Sequence, residues 1–134
     1  MKPVVRTGID MVFLPRFTQV CSRYGERFLT RIYTDAERQI CAGRSASLAA
    51  RWAGKEAVAK LLGIGLQGLG SGAQALPWQS IEILHDQLHK PCVLLHATAL
   101  TRWHLLHLES IDISLTHDHE YVMAQAVAIG WSQG

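Results

Sequence analysis

Lys55 and Glu56 stand side by side in the run Arg51-Trp52-Ala53-Gly54-Lys55-Glu56-Ala57-Val58-Ala59-Lys60, which sets cations and one carboxylate among small residues. Ala49, Ala50, Ala53, Gly54, Ala57 and Ala59 leave little bulk around those charges, so a bulky ligand or another backbone can come close. A glycine inside a helix costs about 1 kcal/mol relative to alanine, which points to a packing or functional reason for Gly54. A second carboxylate, Asp10, lies in Arg6-Thr7-Gly8-Ile9-Asp10. Strand alternation puts it on the face of Gly8, which has no side chain to block access. Bland roles stay open for both acids: an i, i+4 ion pair with Lys60 for Glu56, worth about 0.3 kcal/mol, and a hydrogen bond at a strand end for Asp10.

These residues need elements to hold them. Pro3 to Leu14 reads as a strand with Val5, Ile9, Met11 and Phe13 on one face and Arg6, Gly8, Asp10 and Val12 on the other. Pro15 suits the first turn of a helix in which Phe17, Val20, Cys21 and Tyr24 share a stripe, with Arg16 and Arg23 outside and Gly25 as the end. A short helical piece from Glu26 to Ile32 puts Arg27 and Arg31 one turn apart, and Thr34-Asp35-Ala36-Glu37 is a capping-box start for the next helix. The long helix runs from Ser45 or Ser47 to Leu62 and closes at Gly63.

Beyond it, Gly65 to Pro77 reads as a mobile glycine-rich loop. Strands are expected at Trp78–Leu84 and Cys92–His96 around a turn at Asp86–Pro91, then a helix near Ala97–Leu106. Ile111–Thr116 and Tyr121–Ile129 alternate as a hairpin turning at Asp118-His119. The fold class is α+β: a mainly antiparallel sheet packed against one long helix and shorter helices, in a single domain spanning 1–134.

Composition narrows the function. The chain has 134 residues, 49% hydrophobic and 18% charged, enough for one core. Cys21, Cys41 and Cys92 form no CxxC pair, which argues against a disulfide framework or zinc knuckle and for a reducing cytoplasm. No apolar run reaches the length of a membrane span, and the N-terminus does not read as a signal peptide. Residues 1–60 carry 11 Lys and Arg against 5 Asp and Glu, and residues 61–134 carry 2 against 6, leaving the parts at +6 and −4. The basic part calls for an anionic partner, unless the two parts attract one another or a second subunit.

Other motifs fail on context. Gly63-Ile64-Gly65-Leu66-Gln67-Gly68 matches GxGxxG but follows a helix and leads to a strand, the reverse of a dinucleotide fold, and no Gly-Lys-Ser/Thr makes a Walker loop. His117 and His119 would share a strand face, and His104 and His107 a helix turn, yet neither pair has a third zinc ligand in register. Ser114 lacks the glycines of a nucleophile elbow.

Four features remain in order: Gly8-Ile9-Asp10, Trp52-Ala53-Gly54-Lys55-Glu56-Ala57, Gly63-Ile64-Gly65, and Ile113-Ser114-Leu115-Thr116-His117 followed by Glu120-Tyr121. With Arg31-Ile32-Tyr33-Thr34-Asp35-Ala36-Glu37 and the loop leading to Trp78, they resemble the holo-acyl-carrier-protein synthase family of small phosphopantetheinyl transferases over almost the whole chain. The resemblance implies the 4'-phosphopantetheinyl transferase-like fold. It also implies transfer of the 4'-phosphopantetheine arm of coenzyme A to a serine of an acyl carrier protein, with release of 3',5'-ADP, in fatty acid or polyketide synthesis.

On that resemblance Asp10 and Glu56 are the Mg²⁺ ligands, with water and the substrate diphosphate completing the shell. Asp10, Glu56 and Lys60 form the catalytic set. Lys55 and Lys60 meet the diphosphate and the 3'-phosphate, Arg44 and Arg51 are further phosphate candidates, and Gly63, Thr116 and His117 contact the nucleotide. The serine proton goes to a metal-bound water or to a carboxylate such as Glu56. Arg16, Arg23, Arg27 and Arg31 dock the acidic carrier protein, and an apolar contact beside them falls near Gln19 or Val20. Family members of this length are similar in forming homotrimers with the site between subunits. The implied partners are coenzyme A and a carrier protein, with neither nucleic acid nor membrane. Where many relatives carry a glutamate three residues after the first Asp, this chain has Phe13, so a third acidic contribution must come from elsewhere. A non-catalytic basic module that binds an acidic protein, or a metal-dependent nucleotide phosphohydrolase, are the alternatives.

Overall fold

A computed structural model describes residues 1–68 and 74–133. Strand β1 (Pro3–Phe13) pairs antiparallel with β5 (Tyr121–Trp131), and β5 pairs antiparallel with β4 (Leu108–Asp118), giving a three-stranded sheet in the order β1-β5-β4. A separate hairpin joins β2 (Ile81–His85) to β3 (Pro91–Leu95). Helices are α1 (Leu14–Ile32), α2 (Asp35–Cys41), α3 (Ser45–Leu62) and α4 (Ala97–Leu105). The α+β class with antiparallel pairing is as the sequence predicts, although the strands divide into two sheets. No helix among the described residues is long and apolar enough to cross a membrane.

Helix α3 is the central element. Its Ala49, Ala53 and Ala57 are fully buried, and β5 meets it with buried Val122, Ala124, Ala126 and Ala128. Small residues on both sides let the helix axis lie close to the sheet, so the small-residue pattern serves the approach of another backbone rather than a bulky ligand. Gly8 shows how close: a Cβ there would lie 1.8 Å from the carbonyl oxygen of Ala57. A Cβ on Gly54 would meet Ile83 Cδ1 at 2.3 Å, which is the packing reason for a glycine in mid-helix.

The helix punctuation follows local chemistry. Pro15 opens α1, and the helix bends at Gly25, whose φ of 61° is accessible to glycine without strain. Thr34 and Glu37 form both halves of the capping box of α2, and Gly63 ends α3 in the left-handed region at φ 75°. Three details differ from the sequence reading. Trp78–Ser80 form a 3-10 turn, so β2 begins only at Ile81. The late hairpin turns one residue further on, at His119-Glu120, so His119 leaves the strand and shares no face with His117. The loop expected to be mobile is tied at both flanks, Gln67 N donating to Leu76 O and Leu76 N to Gly65 O, while its residues 69–73 lie outside the described residues.

Candidate active site

Gly8 brings β1 into contact with α3, and two residues later Asp10 projects from the same face. The Lys60 ammonium donates to the Ile9 carbonyl at 2.8 Å and lies 3.3 Å from Asp10 Oδ1. Glu56, one turn earlier on α3, is half-buried close enough to Asp10 for the two charges to interact. Burial holds the Asp10 carboxyl above its ordinary value, against the lowering effect of Lys60. Glu56 is also raised, first by burial and then by the charge of Asp10, with Lys60 again opposing.

Two half-desolvated carboxylates, with the charge of Asp10 raising the proton affinity of Glu56 and Lys60 as the one cation that lowers both, form a site that gains from a further positive charge. Oxygen donors of this kind suit a hard divalent cation that keeps water or substrate oxygens in its other positions. Among the described residues no cluster of three His, Cys, Asp or Glu forms, in keeping with Phe13 at the position of the third acid.

Glu56 stands between two clefts. One, of 280 Å³, is lined by Asp10, Phe13, Arg16, Phe28, Trp52 and Glu56 among others. The second, of 350 Å³, runs past Glu56, Lys60, Gly63, Ile64 and Gly65 at the C-terminal end of α3. A wider groove of 580 Å³ is formed by Arg23, Tyr24, Arg27, Phe28 and Arg31. Phe28 lines both this groove and the first cleft, so the arginine surface leads directly to the carboxylates. The wall between them is aromatic: Trp52 lies 5.8 Å from Phe17, 5.6 Å from Phe28 and 4.2 Å from Trp78 between ring centroids. Sequence reasoning quoted Trp52 without giving it a role. Its i, i+4 spacing to Glu56 was the available signal.

Lys55 does not reach this site. It has no exposed surface, and its ammonium is held by Glu37 at 2.8 Å and by the carbonyls of Trp78 and Ile81. Glu37 is equally buried and also accepts the Thr34 and Ile83 amides, each of its oxygens being used. The expected phosphate contact at Lys55 is therefore corrected: with its donors committed in the interior, it ties α3 to α2 and β2. Arg51 is also largely buried, with Nε on Ile83 O and Nη1 on Ser47 Oγ, and only its remaining nitrogen is left for a phosphate. Arg44 is exposed at the start of α3.

Thr116 and His117 are exposed at the end of β4, with β5 between them and β1. Pairing registers put Thr116 in the row of Met123 and Met11, on the face opposite Asp10. One chain therefore does not bring Thr116 to the carboxylates, while His117, in the row of Val122 and Val12, shares the Asp10 face but lies two strands away. Arg16 covers the Phe13 ring at 5.9 Å beside Asp10, while Arg23, Arg27 and Arg31 share the groove.

Comparison with known proteins is consistent over most of the chain. The family model of the 4'-phosphopantetheinyl transferase superfamily matches residues 6–126. A holo-acyl-carrier-protein synthase of Herpetosiphon aurantiacus is 42% identical over 124 residues, covering 92% of this chain and 98% of the relative. One of Roseiflexus castenholzii is 47% identical over 111 residues, covering 83% and 81%. Among solved structures, the Neisseria meningitidis holo-acyl-carrier-protein synthase matches at TM-score 0.77 and 30% identity, over 92% of this chain and 96% of that one. The Helicobacter pylori enzyme in complex with coenzyme A matches at TM-score 0.76 and 26% identity, over 91% and 98%. With the Asp10–Glu56–Lys60 cluster in place on this fold, the chain belongs to the 4'-phosphopantetheinyl transferase superfamily.

Proposed function

We propose that this chain is a holo-acyl-carrier-protein synthase, one transferase domain that moves the 4'-phosphopantetheine arm of coenzyme A onto a serine of an acidic apo-acyl carrier protein and releases 3',5'-ADP. The observation that carries this reading is the continuity of the arginine groove, through Phe28, with the cleft of Asp10 and Glu56. An acidic protein seated on Arg16, Arg23, Arg27 and Arg31 would present its serine to that cleft. A nucleotide hydrolase has no use for such a surface, and a passive binding module has none for the carboxylates.

Asp10 and Glu56 would hold Mg²⁺, which when bound supplies positive charge to the diphosphate oxygens on which negative charge develops. Lys60, half-exposed beside them, adds a cation to the same diphosphate and keeps Asp10 in place through its bond to the Ile9 carbonyl. The second cleft, past Gly63 to Gly65, offers room for the nucleotide side of the coenzyme, with Arg44 and the remaining nitrogen of Arg51 as further phosphate contacts. Asp10 and Glu56 are also the proton acceptors that the first cleft offers to the attacking serine.

The assembly we infer is a homotrimer. The sheet face turned away from α3 exposes Val5, Ile9 and Met11 of β1 with Val127, Ile129 and Trp131 of β5, an apolar surface suited to other copies of the chain. Thr116 lies in a row of that face and would meet the coenzyme at a neighbouring subunit's carboxylates, while His117, the next residue, alternates to the other face at the strand end. Three free cysteines suit a cytoplasmic protein. The test is incubation of the protein with coenzyme A, Mg²⁺ and an apo carrier protein, followed by intact mass. A gain of one phosphopantetheine arm is expected, and no gain with several carrier proteins contradicts the reading.

A further inference from the structure

Strand β1 meets α3 along a line of contacts that ends at the carboxylates. Arg6, Gly8 and Asp10 share the face turned to the helix. Arg6 Nε donates to the Leu61 carbonyl at 2.7 Å, the Gly8 backbone lies against Ala57, and Lys60 bonds Ile9 O at 2.8 Å. Ala57 and Leu61 are one helical turn apart, so Gly8 and Arg6 fix the two ends of that turn against the strand. Without Arg6, β1 keeps its ladder to β5, the Gly8 contact and the Lys60 bond to Ile9 O, but loses the side-chain tie to Leu61 that fixes its tilt on the helix on the other side of Gly8. Asp10 lies two residues beyond Gly8 and moves with the strand.

We propose that Arg6 is a positioning residue of the transfer site, holding β1 on α3 so that Asp10 meets Glu56 at the spacing a shared cation requires. The inference rests on the reading that these two carboxylates bind a divalent cation. A control is built into the fold. Arg102, from α4, donates Nε to the next carbonyl, Leu62 O, at 2.8 Å, and like Arg6 brings an Nη group to Gly63. Both arginines cap the negative end of the α3 dipole and both carry one positive charge. Only Arg6 belongs to the strand that carries Asp10.

The sign of the effect separates positioning from charge. Arg6 is about 13 Å along the strand from Asp10. Removing a cation at that range leaves the site more negative, which on charge alone favours metal binding. Loss of position weakens it.

The experiment measures Mn²⁺ binding directly, by the electron paramagnetic signal of the free ion, with and without coenzyme A. Alongside it run the Mg²⁺ dependence of the transfer rate and the Tm of each variant. For R6A we expect about a five-fold higher Mn²⁺ dissociation constant and Mg²⁺ half-activation, the scale of one lost hydrogen bond. R6K, whose ammonium can still reach the Leu61 carbonyl, restores most of the affinity. R102A lowers Tm comparably but leaves Mn²⁺ affinity unchanged or slightly tighter. Should R6A not fold, R6Q takes its place in the same comparison. Wild-type affinity in folded R6A or R6Q, or equal weakening in R102A, overturns the positioning role. Failure of the wild-type protein to bind Mn²⁺ even with coenzyme A instead overturns the metal reading itself, and the proposal with it.

Discussion

Helix α3 carries two lysine–carboxylate pairs that differ in nearly every physical respect. Lys55 and Glu37 are 2.8 Å apart with both side chains fully buried, and every nitrogen and oxygen around them has a partner. Lys60 and Asp10 are 3.3 Å apart, the lysine side chain is 55% exposed, and a second carboxylate, Glu56, leaves the cluster with more negative than positive charge. The first pair is closed and joins three elements of the fold. The second is open, charge-unbalanced and flanked by two clefts. A satisfied ion pair makes structure, whereas one left short of positive charge beside space makes a binding site.

That contrast breaks most sharply at the carboxylates. D10A and E56A should each lower kcat/KM for arm transfer by about 10³-fold or more, since a cation site that orients and neutralises the diphosphate is lost. Both proteins should stay folded, which circular dichroism would check.

The closed pair should fail in the opposite way. K55M leaves the Glu37 carboxylate buried and unpaired, and a stability loss of about 3–5 kcal/mol in urea unfolding at fixed protein concentration is expected. Adding E37Q removes the stranded charge and should recover much of that loss. A double variant no more stable than K55M would show that the pair is not the organising contact.

Smaller effects belong to the arginine groove. R16A, R23A and R27A should each reduce kcat/KM for the carrier protein about three- to ten-fold with kcat little changed, and the defect should shrink as salt rises. Loss confined to kcat would place those residues in the chemistry rather than in docking.

The smallest is a pH effect on stability. The folded-state pKa values of Asp10 and Glu56 lie above their ordinary values of 3.8 and 4.5. A raised carboxyl binds its proton more tightly in the folded protein, so its stabilising contribution is complete below the ordinary value and is lost as pH rises through the raised one. At neutral pH the charged pair is therefore a burden. E56Q should show a slightly higher Tm than wild type at pH 7 without metal, and the gap should close toward pH 4. A gap that widens on acidification would reverse the assignment.

How much of this was legible in the sequence depended on how local each signal was. The bend at Gly25, the Thr34–Glu37 capping box, the Gly63 stop and the strand alternation around Asp10 are read within a few residues, and the structure has them. The roughly 100° turn between helix neighbours separates Lys55 from Glu56, yet the sequence reading kept both at the substrate, with Lys55 on a phosphate. What could not be read was which face is covered. Lys55 points at β2 and the Trp78 turn, more than twenty residues downstream, and Glu37 hides a second use of its capping carboxylate behind Ile83. The small residues of α3 were equally ambiguous until Gly8 and the alanines of β5 were seen against them.

The central claim is that the open pair performs the transfer while the closed pair holds the fold. Its most direct test is the initial rate of phosphopantetheine transfer, read as mass gain of the carrier protein, for E56Q against the K55M/E37Q double variant, both well below their unfolding temperatures. The account predicts near-wild-type rates for the double variant and almost none for E56Q. An active E56Q beside an inactive, folded K55M/E37Q protein would contradict it.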